Sequence, residues 1–98
     1  MLKKIEFIIT NDDGAERSIW LSGRNAWALS RLIQAGKQGC TPINQPAPRW
    51  AAYDHILRTE YGLKIKTITE EHGGPFSGTH GRYVLQSNVK RALQGEIA

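Results

Sequence analysis

Prolines at three positions of one short segment constrain the fold of this chain more than any other sequence feature. Thr41 is suited to cap a helix, and Pro42 fits the first helical position, where its missing N–H costs nothing. Pro46 and Pro48 push the residues before them out of the helical region, so the first helix is short and Pro48 can begin a second one. Gly62 provides a left-handed stop for that second helix. The segment therefore predicts a helix-turn-helix unit.

The second of these helices, from Pro48 to about Tyr61, has two faces of different character. Spacing its residues at about 100° around the axis groups the large side chains on one side, which predicts their burial: Trp50, Tyr53, Leu57 and Tyr61. The opposite side, flanked by Arg49 and Ile56, carries small and polar side chains: Ala51, Ala52, His55, Arg58 and Thr59. The two alanines would let the helix approach another surface closely, as a recognition helix approaches base edges. An ordinary amphipathic helix with a solvated side is the alternative, and both interpretations stay open here.

Size and charge narrow the classes of protein to consider. With 98 residues the chain is large enough for one domain, 1–98, and too short for two lobes around a cleft, which weighs against an elaborate enzyme. Lys and Arg number 13 against 9 Asp and Glu, a formal net charge of +4. Residues 1–23 contain three basic and four acidic side chains, a net of −1, so the remainder carries +5. The basic excess lies in the helical part and suits a polyanionic partner.

Cysteine usage and hydropathy predict the compartment. Cys40 is the only cysteine, so no internal disulfide, thiolate metal cluster or Cys-x-x-Cys motif can form. A position beside a helix start could make its thiol reactive, but a small buried thiol is the preferred interpretation. The apolar run from Ile5 to Thr10 is too short for a signal peptide, and nothing approaches the roughly 20 apolar residues of a membrane span. We therefore expect a cytoplasmic protein that does not associate with membranes.

The rest of the chain divides into four parts. Residues 1–21 read as a hairpin, because Ile5, Phe7 and Ile9 alternate and an Asn-Asp-Asp-Gly turn precedes a second apolar run. Residues 22–62 form the helical part, in which Ser22 caps a helix that reaches about Ala35. Residues 63–87 form a second hairpin, with strands over 63–70 and 80–87 joined by a glycine-rich tip. Residues 88–98 are predicted to be a short helical turn and a frayed tail.

This order, three helices followed by a two-stranded hairpin, is that of a winged helix, with the second hairpin as the wing. The sequence predicts an α+β fold: a winged helix-turn-helix with three helices, a C-terminal β-hairpin wing and an extra N-terminal β-hairpin. That extra hairpin could add strands to the wing sheet or cover its edge.

Five ordered motifs resemble those of small winged-helix proteins of bacteria and their phages. They are GRNAWAL at 23–29, GCTPI at 39–43, PAPRW at 46–50, HGGPF at 72–76 and GRYVL at 81–85. The resemblance covers about residues 22–87 and leaves the N-terminal hairpin and the last ten residues uncovered. It implies a winged helix-turn-helix fold and a DNA-binding role, and supports the fold more strongly than the activity.

The candidate partner is double-stranded DNA, bound by the long helix in the major groove and by the wing on the backbone. The candidate DNA-binding residues lie on these two elements: Arg49, Ala52, His55, Arg58, Thr59, His80 and Arg82. Arg58 could read guanine through two hydrogen bonds, whereas Arg49 near the helix start is better placed for a phosphate. Asp54 and Glu60 on the same helix repel phosphate. Binding by one copy would be weak and dependent on salt, so a homodimer or larger assembly is expected for useful affinity.

Other functions receive less support. His72 and His80, with Glu70 and Glu71 nearby, could hold zinc, but their spacing matches no standard site, so no metal or cofactor is predicted. Neither a serine elbow nor a Cys–His pair is indicated, and no enzyme activity is expected. The second hypothesis is a phage or bacterial protein-interaction module, an inhibitor or adaptor on the same scaffold. Its support is the modest charge, the acidic residues of the long helix and the edge strands of the N-terminal hairpin.

Overall fold

The computed structural model describes residues 4–44, 50–73 and 78–92 of the chain. These residues form five strands, two α-helices and a 3₁₀ turn at Gly36–Gln38. In chain order the elements are β1 (Ile5–Thr10), β2 (Glu16–Leu21), α1 (Gly23–Ala35), α2 (Trp50–Thr59), β3 (Ile65–His72), β4 (Gly78–Leu85) and β5 (Asn88–Arg91), with the 3₁₀ turn directly after α1.

The predicted N-terminal hairpin is present and forms part of a three-stranded antiparallel sheet in the order β2-β1-β5. Phe7 and Ile9 of β1 are buried, and Ile9 lies opposite Val89 of β5. The helical turn predicted after residue 88 is therefore wrong for 88–91, because Val89 occupies a core position on the open edge of β1. Residues 93–98 lie outside the described part of the chain. The hairpin takes β5 as its third strand, and the wing forms a separate sheet.

The position and length of helix α1 agree with the prediction, although in the described residues the Ser22 side chain makes no capping hydrogen bond. Ser22 precedes it in an extended conformation, and Gly36, with φ 55, follows its last residue, Ala35. The buried side of α1 consists of Ala26, Ala28, Leu29 and Leu32. This side packs against the sheet and against α2, so α1 forms the centre of the core.

The expectation of three helices is wrong for the described residues, which contain two α-helices. Pro42, predicted to begin a short helix, lies in a turn over residues 42–44. The Thr41 hydroxyl accepts hydrogen bonds from the N–H groups of Ile43 and Asn44, at 3.2 and 2.9 Å. A cap is thus formed, but the prolines that follow lack the N–H donors a longer helix requires. Residues 45–49, which include Pro48, the predicted start of the second helix, lie outside the described residues.

Helix α2 is shorter at its end than the sequence predicts. It ends at Thr59, two residues before Tyr61, and Gly62 follows with φ 68. The N–H of Leu63 donates to the carbonyl of Leu57 at 3.1 Å, and Leu63 is buried. Gly62 therefore turns the chain, as predicted, from α2 directly into the wing.

The wing consists of β3 and β4, paired antiparallel from Ile65 opposite Leu85 to His72 opposite Gly78. Its strands reach further towards the tip than the predicted ranges. At its base, Cys40 and Tyr83 form a β-bridge with two hydrogen bonds of 2.9 Å. The Tyr83 ring also stacks on Trp50 of α2, with ring centroids 5.9 Å apart. The wing is thus attached both to the segment before α2 and to α2 itself.

Candidate nucleic-acid interface

Helix α2 has the two faces that its sequence predicts. Trp50, Tyr53 and Leu57 are buried in the core. The other side is open to solvent along most of its length, with Ala52 half-buried and four residues exposed: Ala51, His55, Arg58 and Thr59. The aromatic side is held by an edge-on contact of Trp50 with Tyr53, ring centroids 6.1 Å apart, and by Trp27 of α1 at 5.6 Å from Trp50. Helix α2 is thus packed firmly on its aromatic side and presents small and polar side chains on its outer side.

One acidic residue of α2 is buried, which the sequence interpretation does not anticipate. Asp54 is 6% exposed, and its Oδ2 accepts a hydrogen bond of 3.0 Å from Nε of Arg58. Among the described residues, its buried Oδ1 has no hydrogen-bond partner. An unsatisfied buried carboxylate oxygen is costly, so the pairing with Arg58 matters to the fold as well as to the surface.

Arg58 is held at its Nε while the end of its side chain faces outwards. The side chain is 43% exposed, and among the described residues its only hydrogen bond is that to Asp54. Its two terminal nitrogens remain available to an external acceptor, the pair of donors with which arginine recognises guanine or phosphate. Neighbouring Thr59 donates its hydroxyl hydrogen to the carbonyl of His55 at 2.7 Å, so it can offer a partner mainly its oxygen lone pairs.

The wing carries a chain of polar contacts on one face. Glu70 and Arg82 lie diagonally across the two strands, and Arg82 donates to both carboxylate oxygens, from Nε at 2.6 Å and from Nη2 at 3.1 Å. Arg82 also donates from Nη1 to the carbonyl of Gln38, at 2.7 Å. The arginine predicted to contact DNA therefore ties the wing to the 3₁₀ turn.

The two wing histidines extend this chain towards the tip. Nε2 of His80 lies 3.2 Å from Oε1 of Glu70, and Nδ1 of His80 lies 2.9 Å from Nδ1 of His72. The His80 side chain is only 12% exposed. The sequence predicts that both histidines lie near Glu70 and Glu71. Within the described residues, the histidine hydrogen-bonded to Glu70 is His80.

The pKa values of Glu70, Arg82 and Cys40 are shifted by their surroundings. The hydrogen bonds from Arg82 hold the pKa of Glu70 below its ordinary value, and Glu70 in turn raises the pKa of Arg82. Burial raises the pKa of the Cys40 thiol, although Arg31 and Arg82 partly oppose this. Cys40 is fully buried, which confirms the small buried thiol that its sequence predicts.

The structure places the predicted site residues on two elements. Ala52, His55, Arg58 and Thr59 lie together on α2, and His80 and Arg82 lie together on the wing, whereas Arg49 is outside the described residues. The spacing of Asp54 and Arg58, four residues apart on a helix, could have revealed their pair. The contact of Glu70 with Arg82 depends on strand register, which composition does not give.

The described residues form neither a metal-binding cluster nor a membrane-spanning helix. Within 4–44, 50–73 and 78–92, no three or more His, Cys, Asp or Glu side chains converge to hold a metal ion. In the same ranges, neither helix is long and apolar enough to cross a membrane.

An amphipathic helix with an exposed polar side, followed by a β-hairpin attached at its base, defines the winged-helix class of domain. The chain belongs to the winged helix domain family, whose sequence pattern matches residues 18–95. The match includes α1, α2 and the wing, and it also includes β5, which lies beyond the range of the sequence resemblance. No curated protein and no solved structure matches the chain significantly.

Proposed function

We propose that the protein binds double-stranded DNA, as a regulator in a bacterium or phage, with α2 in the major groove and the wing against the backbone. The observation that carries the proposal is the exposed polar side of α2 in a chain of the winged helix domain family. A recognition helix needs a rigid buried side and an outer side with small residues and directed donors. The aromatic packing of α2 supplies the first, and Ala51, Ala52 and Arg58 supply the second.

Within this proposal each candidate residue has a role. Arg58 donates from its terminal nitrogens to a guanine edge or a phosphate, and His55 lies beside it on the same surface. Ala52 permits close approach, and the Thr59 oxygen accepts from a base donor. On the wing, Arg82 and His80 support the hairpin that contacts the backbone. Arg49, just before α2, is proposed as a phosphate contact.

The charge of these elements predicts modest affinity. Helix α2 contains one acidic residue, Asp54, and one basic residue, Arg58. The wing from Ile65 to Leu85 contains two of each. Both elements are therefore formally neutral, and non-specific binding depends strongly on such charges. We propose that two copies act together on one DNA site, in the cytoplasm, without catalytic activity.

A mobility-shift assay with three proteins tests the proposal. The variant Asp54→Asn/Arg58→Gln removes the arginine donors without changing the net charge, and it leaves no lone buried carboxylate. Lys90→Gln is the control, because Lys90 is exposed and lies opposite Ile8 on the outward face of the sheet. We expect duplex binding by the wild type at low salt, a loss of about 5- to 150-fold in the double variant (1–3 kcal/mol), and little change in Lys90→Gln.

Two results would count against this function. Absence of binding by the folded wild type at low salt would exclude it. Equal losses in the double variant and in Lys90→Gln would indicate binding that does not involve α2. Circular dichroism of all three proteins establishes that each is folded.

The N-terminal sheet favours a second candidate function, a protein-interaction module. Trp20 is 52% exposed on β2, which forms one edge of the described sheet. An exposed large aromatic residue on an edge strand is typical of a protein-binding surface. A protein partner that co-purifies after nuclease treatment and is lost with Trp20→Ser, while α2 variants retain it, would favour this function over DNA binding.

A further inference from the structure

The contact between His72 and His80 restricts how many protons the wing can hold. Their Nδ1 atoms are 2.9 Å apart, whereas the ring centroids are 5.0 Å apart and the ring planes differ by 28°. The nitrogens therefore point towards each other, and the rings lie end to end. A hydrogen bond between two imidazole nitrogens needs a proton on one and a lone pair on the other. The contact is therefore incompatible with protons on both Nδ1 atoms.

The Glu70 carboxylate fixes the arrangement of protons. Because Arg82 holds it in the ionised form, Glu70 only accepts, so Nε2 of His80 carries a hydrogen and donates to it. In the uncharged pair, Nδ1 of His80 then accepts from Nδ1–H of His72, and Nε2 of His72 is a bare lone pair. One further proton, on Nε2 of His72, leaves every one of these hydrogen bonds intact.

The position of Nε2 of His72 lets it meet a partner. The nearest atoms of His72 to a Cβ placed on Gly78 would be Nε2 and Cε1, at 3.6 and 3.7 Å, so the absence of a side chain at Gly78 keeps this edge of the ring open. An open groove lined by Glu71, His72, Gly78 and Thr79 lies beside it. Among the described residues, Nε2 of His72 therefore lies beside this open groove.

Charged and titratable groups on three elements surround the pair. The groups that face it are Glu70 on β3 and Arg82 on β4, which neutralise each other in part. Glu71, on the opposite face of β3, adds a negative charge beside His72. From the 3₁₀ turn, the Gln38 carbonyl accepts a hydrogen bond from Nη1 of Arg82. Lys37 lies in the same turn, and the Cys40 thiol beyond it is buried and uncharged.

We propose that the wing takes up one proton, at Nε2 of His72, when it contacts a DNA phosphate. The wing is otherwise formally neutral, so this proton supplies the positive charge that makes its contact with phosphate favourable. The proton comes from solvent, and the chain from His72 through His80 to the Glu70 carboxylate stabilises the new charge. A second proton would break the contact between the Nδ1 atoms, so the pair takes up one and not two. This inference rests on the DNA-binding function proposed above.

The free protein provides a test that does not need DNA. The chain has three histidines, so NMR of the imidazole carbons and nitrogens can follow each ring through a pH titration, with His55→Gln used for assignment. We expect the signals of His72 and His80 to change together in the first protonation step, with His80 keeping its Nε2 hydrogen. Independent titration of the two rings would overturn the shared-proton pair.

Calorimetry of DNA binding in buffers of different ionisation enthalpy measures the coupling. With a chelator present, we expect uptake of up to about one proton per copy in the wild type and almost none in His72→Gln. Because His55 lies on the proposed interface, His55→Gln is expected to bind more weakly, and comparison with His55→Gln/His72→Gln assigns the remaining proton uptake to His72. Apparent affinity should then rise as pH falls in the wild type and in His55→Gln, and stay nearly constant in the two variants that lack His72. DNA binding without proton uptake in the wild type, or unchanged uptake in His72→Gln, would overturn the proposal while leaving DNA binding intact. Absence of DNA binding would overturn both, even if the NMR titration showed a shared proton.

Discussion

At the residue scale, the unusual feature of α2 is a buried carboxylate that depends on one exposed arginine. Asp54 is buried, and within the described part of the chain its side chain accepts one hydrogen bond, from Arg58, whose side chain is 43% exposed. Removing one partner of such a pair leaves an uncompensated charge, whereas replacing both with neutral groups of similar shape is often nearly neutral. The arginine proposed to contact DNA is therefore also a structural residue.

This dual role gives a stability prediction. Arg58→Gln should lower the free energy of unfolding by about 1–3 kcal/mol, because Asp54 then loses its charged partner. Asp54→Asn/Arg58→Gln should lie within about 1 kcal/mol of the wild type. Urea denaturation followed by tryptophan fluorescence measures both. A double variant less stable than Arg58→Gln would contradict the assigned role of the pair.

The Glu70 carboxylate gives a prediction for acid pH. Its folded pKa is lowered, mainly by hydrogen bonds from Arg82, so its contribution to stability is present above its ordinary pKa of 4.5. That contribution is lost as pH falls through the lowered folded value. Glu70→Gln should therefore be less stable than the wild type near neutral pH and should lose less stability on acidification.

Glu71→Gln is the matched control for this experiment, because Glu71 is the next residue on β3 and is exposed. Glu71→Gln should lose as much stability on acidification as the wild type does. Thermal unfolding at about pH 7 and about pH 3 measures the difference. Equal acid dependence in the two variants would show that the pair of Glu70 and Arg82 does not stabilise the wing.

At the element scale, the wing depends on a close approach at its base. Gly39 has φ 70, and a Cβ placed there would lie 2.5 Å from the Tyr83 carbonyl oxygen, which accepts from Cys40 N–H. Gly36 also has a positive φ, 55, but a Cβ placed on it would meet nothing within 4 Å. A side chain at Gly36 would therefore introduce backbone strain alone. A side chain at Gly39 would introduce backbone strain and a steric clash with the wing.

Alanine substitutions at these glycines test how the wing is attached. Gly36→Ala should cost about 1–3 kcal/mol from backbone strain. Gly39→Ala should cost about 1–3 kcal/mol more, because the wing has to move away from Cys40. The rate at which a thiol reagent modifies Cys40, which is buried in the native protein, provides a second readout. Faster modification in Gly39→Ala than in Gly36→Ala is expected, and equal rates would contradict this attachment.

At the scale of the whole molecule, elements that depend on residues close in sequence were predicted correctly more often than features that depend on pairing between distant strands. The caps, glycine stops and alternation around Ser22, Gly36, Gly62 and Ile5–Thr10 were sufficient to predict both hairpins and α1. They did not predict β5, because its strand character depends on the open edge of β1 about 80 residues earlier in the chain. The exposed side of α2 was predicted by helical periodicity, whereas the contacts of Glu70, His80 and Arg82 required the register of the wing.

The whole molecule also explains why net charge alone is a poor guide to its function. The sequence carries +4, yet α2 and the wing are each formally neutral. The interaction with DNA then depends on the hydrogen-bond donors of α2, such as those of Arg58. It also depends on the one proton proposed for the wing. Affinity should depend strongly on salt and on a small number of residues.

A salt titration of binding to a random DNA duplex tests the central claim most directly. If α2 and the wing make roughly four to six phosphate contacts, the logarithm of the association constant should fall linearly with the logarithm of salt concentration, with a slope of about −0.9 per contact. Asp54→Asn/Arg58→Gln should reduce that slope by about one if Arg58 contacts a phosphate, and should leave it unchanged but alter sequence preference if Arg58 reads a base. A folded wild-type protein that shows no binding at low salt would contradict the account.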